Sequence, residues 1–185
     1  SKYLGLERVI FIPANIPPHK GALKIVSGES RLRMLELAIQ DNPLFEVSTV
    51  ELERSGPSYT IDTINELREK FGIDPTLMVG SDSLKELSTW RSMDDILRLA
   101  DLAVVERVGF ELKGKLPVEL ATEFCYDKNS GLFVNTYGRK IALVPGTLSE
   151  ISSTMIREAI RIGDPVTGLT PESVIDFIRQ NNLYT

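Results

Sequence analysis

The sequence predicts a doubly wound α/β domain built on a parallel sheet. Three observations carry that expectation. Short apolar runs rich in β-branched residues recur along the chain, helical patterns fill the intervals between them, and the runs are continuously apolar rather than alternating. Continuous runs suit strands buried on both faces, as in a parallel sheet covered by helices. Strands that alternate with helices give the order such a fold requires.

The first run is Arg8 to Pro13 (RVIFIP), and Pro13 stops it. Met34, Leu35, Ala38 and Ile39 then form one face of a helix that Pro43 ends. Phe45 to Leu52 is the second run. Ile61, Ile64, Leu67 and Phe71 share the next helical face, with Gly72 placed for its C-terminal stop. Thr76 to Gly80 (TLMVG) is the third run. Ser92 with Asp95 is a capping-box-like start for a helix over Met93 to Ala100. Asp101 to Glu106 and Lys140 to Pro145 are the fourth and fifth runs. Between them, Val108 to Gly138 has no clean period, which predicts an irregular insertion with one helix around Val118 to Phe124. Ser152 to Thr154 offer N-caps for a helix that turns Met155, Ile156, Ala159 and Ile160 inward, and Gly163 follows it. Thr170 as N-cap, Pro171 at the first helical position and the early acid Glu172 open a last helix carrying Val174, Phe177 and Ile178. No repeat appears, and no Gly- or Ser-rich linker divides the chain, so residues 1–185 read as one domain.

Composition narrows the function. The chain has 185 residues, 42% hydrophobic and 25% charged, the profile of a globular protein with a single core. No apolar run approaches the length of a membrane helix. A net charge of −5 argues against an extended nucleic-acid surface, though a small anion can still bind at a helix end. Cys125 is the only cysteine, which excludes an internal disulfide and a cysteine-rich zinc site and fits a reducing cytoplasm. No signal peptide is visible. His19 is the only histidine, so chemistry that needs a histidine pair within this chain is excluded.

Ligands of open parallel sheets bind beyond the carboxyl ends of strands, and that rule selects four segments. After the first run, Ala14 to Gly21 is stiffened by Pro17 and Pro18 and carries His19 and Lys20; a phosphate contact and an ordinary surface turn both fit. After the second, Gly56-Pro57-Ser58-Tyr59-Thr60 leads into a helix whose first amides are free, for a ligand or for capping alone. After the third, Gly80 permits close approach to the backbone, and Asp82 is either a ribose acceptor or a helix cap. Trp90, the only tryptophan, is either a stacking platform or core. After the fifth, Ser152, Ser153 and Thr154 cluster at a helix start, with Arg157 about one turn on and able to point back. Free amides, the helix dipole and a guanidinium make an anion site, while N-capping beside a solvated arginine uses the same residues.

In order, these segments resemble nicotinate-mononucleotide adenylyltransferases, of the nucleotidyltransferase α/β superfamily. The matching stretches are VIFIPANIPPHK, RMLELAIQDNPLFEVSTVELERSGPSYTIDTINEL, MVGSDSLKELSTWR, DLAVVER and ISSTMIREAI, with a terminal L-x-P-x-x-V-x-x-F-I-x-x-N-x-L-Y. They run from Val9 to Tyr184 and weaken only from about Val108 to Lys140. I-S-S-T-x-I-R is shared with related adenylyltransferases; P-P-H-K, P-S-Y-T and the tryptophan after G-S-D are more particular. The superfamily's G-x-F-D-P-x-H-x-G-H loop, whose histidines contact ATP phosphates, is missing. The expectation is a domain lacking its N-terminal strand, loop and helix, about 30 residues, with a naturally degenerate relative as the alternative.

The resemblance implies a Rossmann-like fold of the nucleotidyltransferase type and a cytoplasmic enzyme of NAD biosynthesis. The reaction would be AMP transfer from ATP to nicotinate mononucleotide, giving the dinucleotide and pyrophosphate. Ser152, Ser153, Thr154 and Arg157 would hold the ATP phosphates, with His19 and Lys20 closing from the other side; His19, Lys20 and Arg157 would be the catalytic set. Asp82 with Gly80 would bind a ribose, Trp90 would stack on the pyridine ring, and Tyr59 and Thr60 would receive the carboxylate through backbone groups. Arg107 is a weaker nucleotide contact. Mg²⁺ would arrive with ATP, bound mainly through phosphates, with no metal site of the protein's own. Nucleic acid and membranes are not expected partners, and a homo-oligomer is left open. A phosphopantetheine-type adenylyltransferase would share I-S-S-T-x-I-R but leaves Trp90 and P-S-Y-T unexplained, and a non-catalytic nucleotide-binding relative would account for the missing loop.

Overall fold

A computed structural model describes residues 5–18, 26–106, 112, 115–144 and 151–185. In chain order the elements are β1 (Val9–Phe11), α1 (Gly28–Ile39), β2 (Phe45–Val47), α2 (Val50–Glu53), α3 (Thr60–Phe71), β3 (Thr76–Gly80), α4 (Ser81–Lys85), α5 (Met93–Leu99), β4 (Asp101–Val105), α6 (Val118–Ala121), β5 (Phe124–Asp127), β6 (Leu132–Asn135), β7 (Lys140–Val144), α7 (Ser153–Ile162) and α8 (Glu172–Gln180). They form two compact units, one of residues 1–58 with 151–185 and one of residues 59–150.

In the first unit, β1 and β2 pair in parallel, Val9 opposite Phe45 and Phe11 opposite Val47. A parallel pair needs a crossover, and α1 supplies it. The rings of Phe11 and Phe45 meet edge-on at 5.2 Å. Ser27 caps α1, its Oγ accepting from the Ser30 amide at 3.1 Å. Helix α1 packs on α8, which buries Val174, Ile175 and Ile178. The Ser173 hydroxyl donates to the Leu37 carbonyl across that contact.

In the second unit the strand order is β3-β4-β7-β6-β5. The first three strands are parallel. Strand β4 lies between β3 and β7 with Leu102, Ala103 and Val104 all buried, which is why its sequence is apolar without alternation. One core cluster joins Ile61 and Ile64 of α3 to Ile96 and Ala100. Another gathers Leu84, Leu87, Leu97, Leu102, Val104 and Ile141 with their neighbours.

Several expectations need correction. The second apolar run is strand only to Val47; Thr49 then accepts from the Leu52 and Glu53 amides, and a single helical turn buries Val50. The irregular stretch contains an antiparallel hairpin, β5 with β6, that continues the sheet through β7. The predicted helix there is the one turn of α6, and Phe124 already belongs to β5. Ser92 does not cap α5 with its side chain: it takes φ 54° and offers its carbonyl to the Asp95 and Ile96 amides. Helix α8 begins one residue late, at Glu172, with Pro171 in the cap position and Thr170 outside. Ala38, Phe71 and Met155 are exposed rather than inward. The glycine stops hold: Gly72 and Gly163 take left-handed conformations (φ 66° and 80°) that return their amides to the last turns of α3 and α7.

Candidate active site

The predicted site residues fall into two groups, one in each unit. In the first unit, Ser152 is the N-cap of α7. Its extended backbone and its Oγ, accepting from the Met155 amide at 3.2 Å, start the helix. Ser153 and Thr154 then supply first-turn amides that have no acceptor within the helix. Arg157 folds back as expected, Nη2 donating to Thr154 Oγ1 at 3.1 Å. Its guanidinium therefore sits at the positive end of the helix dipole. Among the described residues every other α-helix has an acid in its first turn, and α7 has none. The positive end is left to Arg157, which can satisfy no charge there by itself. Tyr184 reports the same field. Burial raises its phenol pKa, while Arg157 and Arg31 pull it down.

The exit of β1 lies in this unit too. The Asn15 amide donates to Ser58 Oγ at 2.8 Å and its Nδ2 to the Arg54 carbonyl at 2.9 Å. The Ser58 amide returns a bond to the Ile16 carbonyl at 2.9 Å. Arg31 bonds Ala14 and Asn15 from α1. Sequence reasoning passes over Arg31, because its partners are carbonyls 16 and 17 residues upstream and carry no side-chain signal. His19, Lys20 and Arg107 lie outside the described residues.

In the second unit, Tyr59 is the N-cap residue of α3 and Thr60 its first helical residue. The Asp62 and Thr63 amides bond the Tyr59 carbonyl, which leaves the Thr60 and Ile61 amides at the helix start without acceptors among the described residues. Arg91 lies over the Tyr59 ring at 4.6 Å and pairs with Asp62 at 3.6 Å. Trp90 is half-buried and packs against both core clusters, so one part of the indole is core and another part is accessible. Half-burial leaves both expectations for Trp90, stacking platform and core, standing. Gly80 ends β3 and stands in the cap position of α4. Asp82 is the second residue of α4, and the N-cap position belongs to Gly80.

Hydroxyls, amides and guanidinium groups dominate the first group, and these bind phosphate oxygens rather than cations. Among the described residues no three His, Cys, Asp or Glu side chains converge on a metal position. None of the described helices is long and apolar enough to cross a membrane.

Comparison with known proteins gives the same direction. The model of the cytidylyltransferase-like family matches residues 1–159. A “Probable nicotinate-nucleotide adenylyltransferase” of Geotalea uraniireducens is 41% identical over 183 residues, 97% of this chain and 85% of that protein. A protein of the same description from Citrifermentans bemidjiense is 40% identical over the same shares. Among solved structures, a nicotinic acid mononucleotide adenylyltransferase of Plasmodium falciparum complexed with NaAD aligns with a TM-score of 0.69 at 17% identity, covering 96% of this chain and 82% of that one. At that identity the likeness establishes the fold alone, an α/β fold of the nucleotidyltransferase type.

Proposed function

The chain belongs to the cytidylyltransferase-like family, and from that premise we propose that it transfers AMP from ATP to nicotinate mononucleotide, forming nicotinate adenine dinucleotide and pyrophosphate. The observation that carries the assignment is near-full-length identity of about 40% to relatives described by that activity. The phosphate-type site at α7 agrees with it.

A phosphate oxygen of the mononucleotide attacks the α-phosphorus of ATP in line. The new P–O bond forms as the bond to the bridging oxygen of pyrophosphate breaks, and the leaving group departs with that electron pair. No covalent enzyme intermediate is required, so the protein's work is alignment and charge stabilisation. In this assignment Ser152, Ser153 and Thr154 hold ATP phosphates through hydroxyls and amides. Arg157 neutralises charge that builds on the leaving oxygens. His19 and Lys20 add positive charge from the segment after β1. The Thr60 amide, with Tyr59 at the start of α3, receives the pyridine carboxylate. Trp90 offers its accessible part to the ring, Gly80 and Asp82 take a ribose, and Arg107 supports the nucleotide. Further screening of phosphate charge would come from Mg²⁺ brought in with ATP. In this proposal residues 1–185 act as one nucleotidyltransferase domain, working in a reducing compartment that suits the exposed thiol of Cys125.

The test is product formation. Purified protein with ATP and nicotinate mononucleotide should release pyrophosphate and form the dinucleotide. Phosphopantetheine in place of the mononucleotide should give none. ATP binding without turnover would instead identify a non-catalytic relative.

A further inference from the structure

Arg91, directly after Trp90, is a charged residue to which the proposed reaction gives no part. Two contacts tie its guanidinium to the start of α3. It lies over the Tyr59 ring at 4.6 Å, and its Nη1 is 3.6 Å from a carboxylate oxygen of Asp62. Tyr59 is the N-cap residue of α3, and Asp62 is the acid of its first turn.

The core holds these groups together. Tyr59 and Trp90 both pack against the cluster of Ile61, Ile64, Ile96 and Ala100, so the start of α3 and the segment carrying Arg91 share one support. The Trp90 amide closes the short 3-10 turn Leu87–Thr89 on the Leu87 carbonyl at 3.0 Å. Directly after Arg91, Ser92 takes φ 54° and turns the chain into α5. The acid Asp95 of α5 has its own partner, Arg98 at 3.7 Å, while Arg91 goes to Asp62.

An acid in the first turn of a helix suits the dipole, but it opposes an anionic ligand at the same amides. Uncompensated, Asp62 would repel the pyridine carboxylate assigned to the Thr60 amide. The carboxamide of nicotinamide mononucleotide has no charge there, so the repulsion would fall on the acid alone. The paired side chains of Arg91 and Asp62 are 56% and 37% exposed, so solvent screens their field and keeps the effect to a small factor.

We infer that Arg91 is a specificity-determining residue: paired with Asp62 and braced on the Tyr59 ring, it cancels a repulsion that would weaken selection of the acid over the amide. It acts through Asp62 and not on the reacting atoms. The inference rests on the AMP-transfer reading and on its placement of the carboxylate at the start of α3.

The experiment compares the parent with Arg91→Met, Arg91→Lys, Asp62→Asn and the double variant Arg91→Met/Asp62→Asn. At saturating ATP, kcat/KM is measured with nicotinate and with nicotinamide mononucleotide, and thermal unfolding is followed on the same samples. Methionine keeps a long unbranched side chain against the Tyr59 ring without the charge. The acid-to-amide ratio should fall roughly three- to fivefold in Arg91→Met and stay within about twofold of the parent in Arg91→Lys. Asp62→Asn leaves the guanidinium uncompensated and should raise the ratio about threefold, and the double variant should return it to about the parent's value. At about 1 M salt, where the screening length is about 3 Å, the Arg91→Met defect should shrink. Loss of packing alone would change both substrates by one factor, so an unchanged ratio in Arg91→Met and Asp62→Asn overturns the role. A ratio that falls in Arg91→Met and is not restored by Asp62→Asn overturns action through Asp62. If Arg91→Met does not fold, Asp62→Asn and the salt dependence of its ratio carry the same test. A parent that forms no dinucleotide with either mononucleotide overturns the activity itself, whereas AMP transfer with unchanged ratios overturns only the part given to Arg91.

Discussion

Replacing Arg157 with alanine is the sharpest probe of the phosphate site. The guanidinium is half-buried and already folded over the first turn of α7 by its bond to Thr154 Oγ1, so little reorganisation is needed to meet a phosphate. No acid in that turn competes for it. A hydrogen bond from a charged donor contributes about 1.5–3 kcal/mol. Partial burial and the lack of a competing carboxylate place Arg157 in the upper part of that range, about 2–3 kcal/mol, or roughly 30- to 150-fold in rate. Charge builds on the pyrophosphate oxygens as the bond to α-phosphorus breaks, so the loss should fall mainly on kcat, with KM for ATP changing less. Arg157→Lys should recover only part, because an ammonium cannot make the bidentate contact. The assay is continuous pyrophosphate release at saturating nicotinate mononucleotide with ATP varied. An Arg157→Ala rate within about twofold of the parent would refute the reasoning and leave Arg157 as a cap-side arginine without a ligand.

Other expectations follow from single features. The parent should prefer nicotinate over nicotinamide mononucleotide by roughly 10²-fold in kcat/KM, because donor-only amides at the start of α3 face an NH₂ group donor to donor. Trp90→Ala should lower kcat/KM for both mononucleotides by the same factor, since the indole addresses only the ring; selectivity that changes with Trp90 would contradict that placement. Tyr184 has a phenol pKa raised above the usual value of about 10 by burial. The folded state therefore holds that proton more tightly than the unfolded chain, and its stabilisation is present below pH 10 and lost as pH climbs through the raised value. Denaturant titrations above pH 10 should show a shallower loss of stability in Tyr184→Phe than in the parent. Gly163→Ala, at φ 80°, should cost about 1–2 kcal/mol and lower the melting temperature, because a Cβ disfavours the left-handed stop of α7.

What the sequence revealed was whatever is coded in side chains near each other along the chain. From Leu102 to Val105 the β4 run is apolar without interruption, because β4 lies between β3 and β7 and Leu102, Ala103 and Val104 are all buried, so it reads as strand. Ser152 and Gly163 bracket α7 in the chain as they do in space. The β5–β6 hairpin lacks such a code. Phe124 is the only buried residue of β5, Cys125 and Tyr126 face outward, and the turn is set by Asp127 accepting from the Asn129 and Ser130 amides. Its apolar signal is too short to be periodic. Helix α2 is a single turn, too brief for a 3.6-residue pattern, so it read as a continuation of β2. Ser92 adopts its left-handed conformation without glycine, so the capping rules find the right start for α5 but not the carbonyl contact that makes it. At the start of α7 the sequence marks Ser152, Thr154 and Arg157 together, and the structure has Ser152 as the N-cap and Arg157 on Thr154. The network around Ala14 to Ile16 was not legible, because most of its partners are main-chain atoms.

The charge arrangement explains how a chain of net charge −5 serves an anionic reaction. The two helix starts assigned to ligands are treated differently from each other. At α7 no acid occupies the first turn, and Arg157 adds a full positive charge beside free amides. This start suits a polyanion, whose charge both the dipole and the guanidinium stabilise. At α3 the first turn does contain an acid, Asp62, and alone it would repel a carboxylate. Arg91 pairs with it at 3.6 Å and lies on the Tyr59 ring, bringing the local charge back toward neutral. What remains at α3 is geometric: two amides that donate and cannot accept. A helix start neutral in charge but donor-only binds a single carboxylate through hydrogen-bond direction and attracts a phosphate chain less than α7 does. Under the proposed assignment, sorting between triphosphate and carboxylate is drawn into the first turns of the two helices.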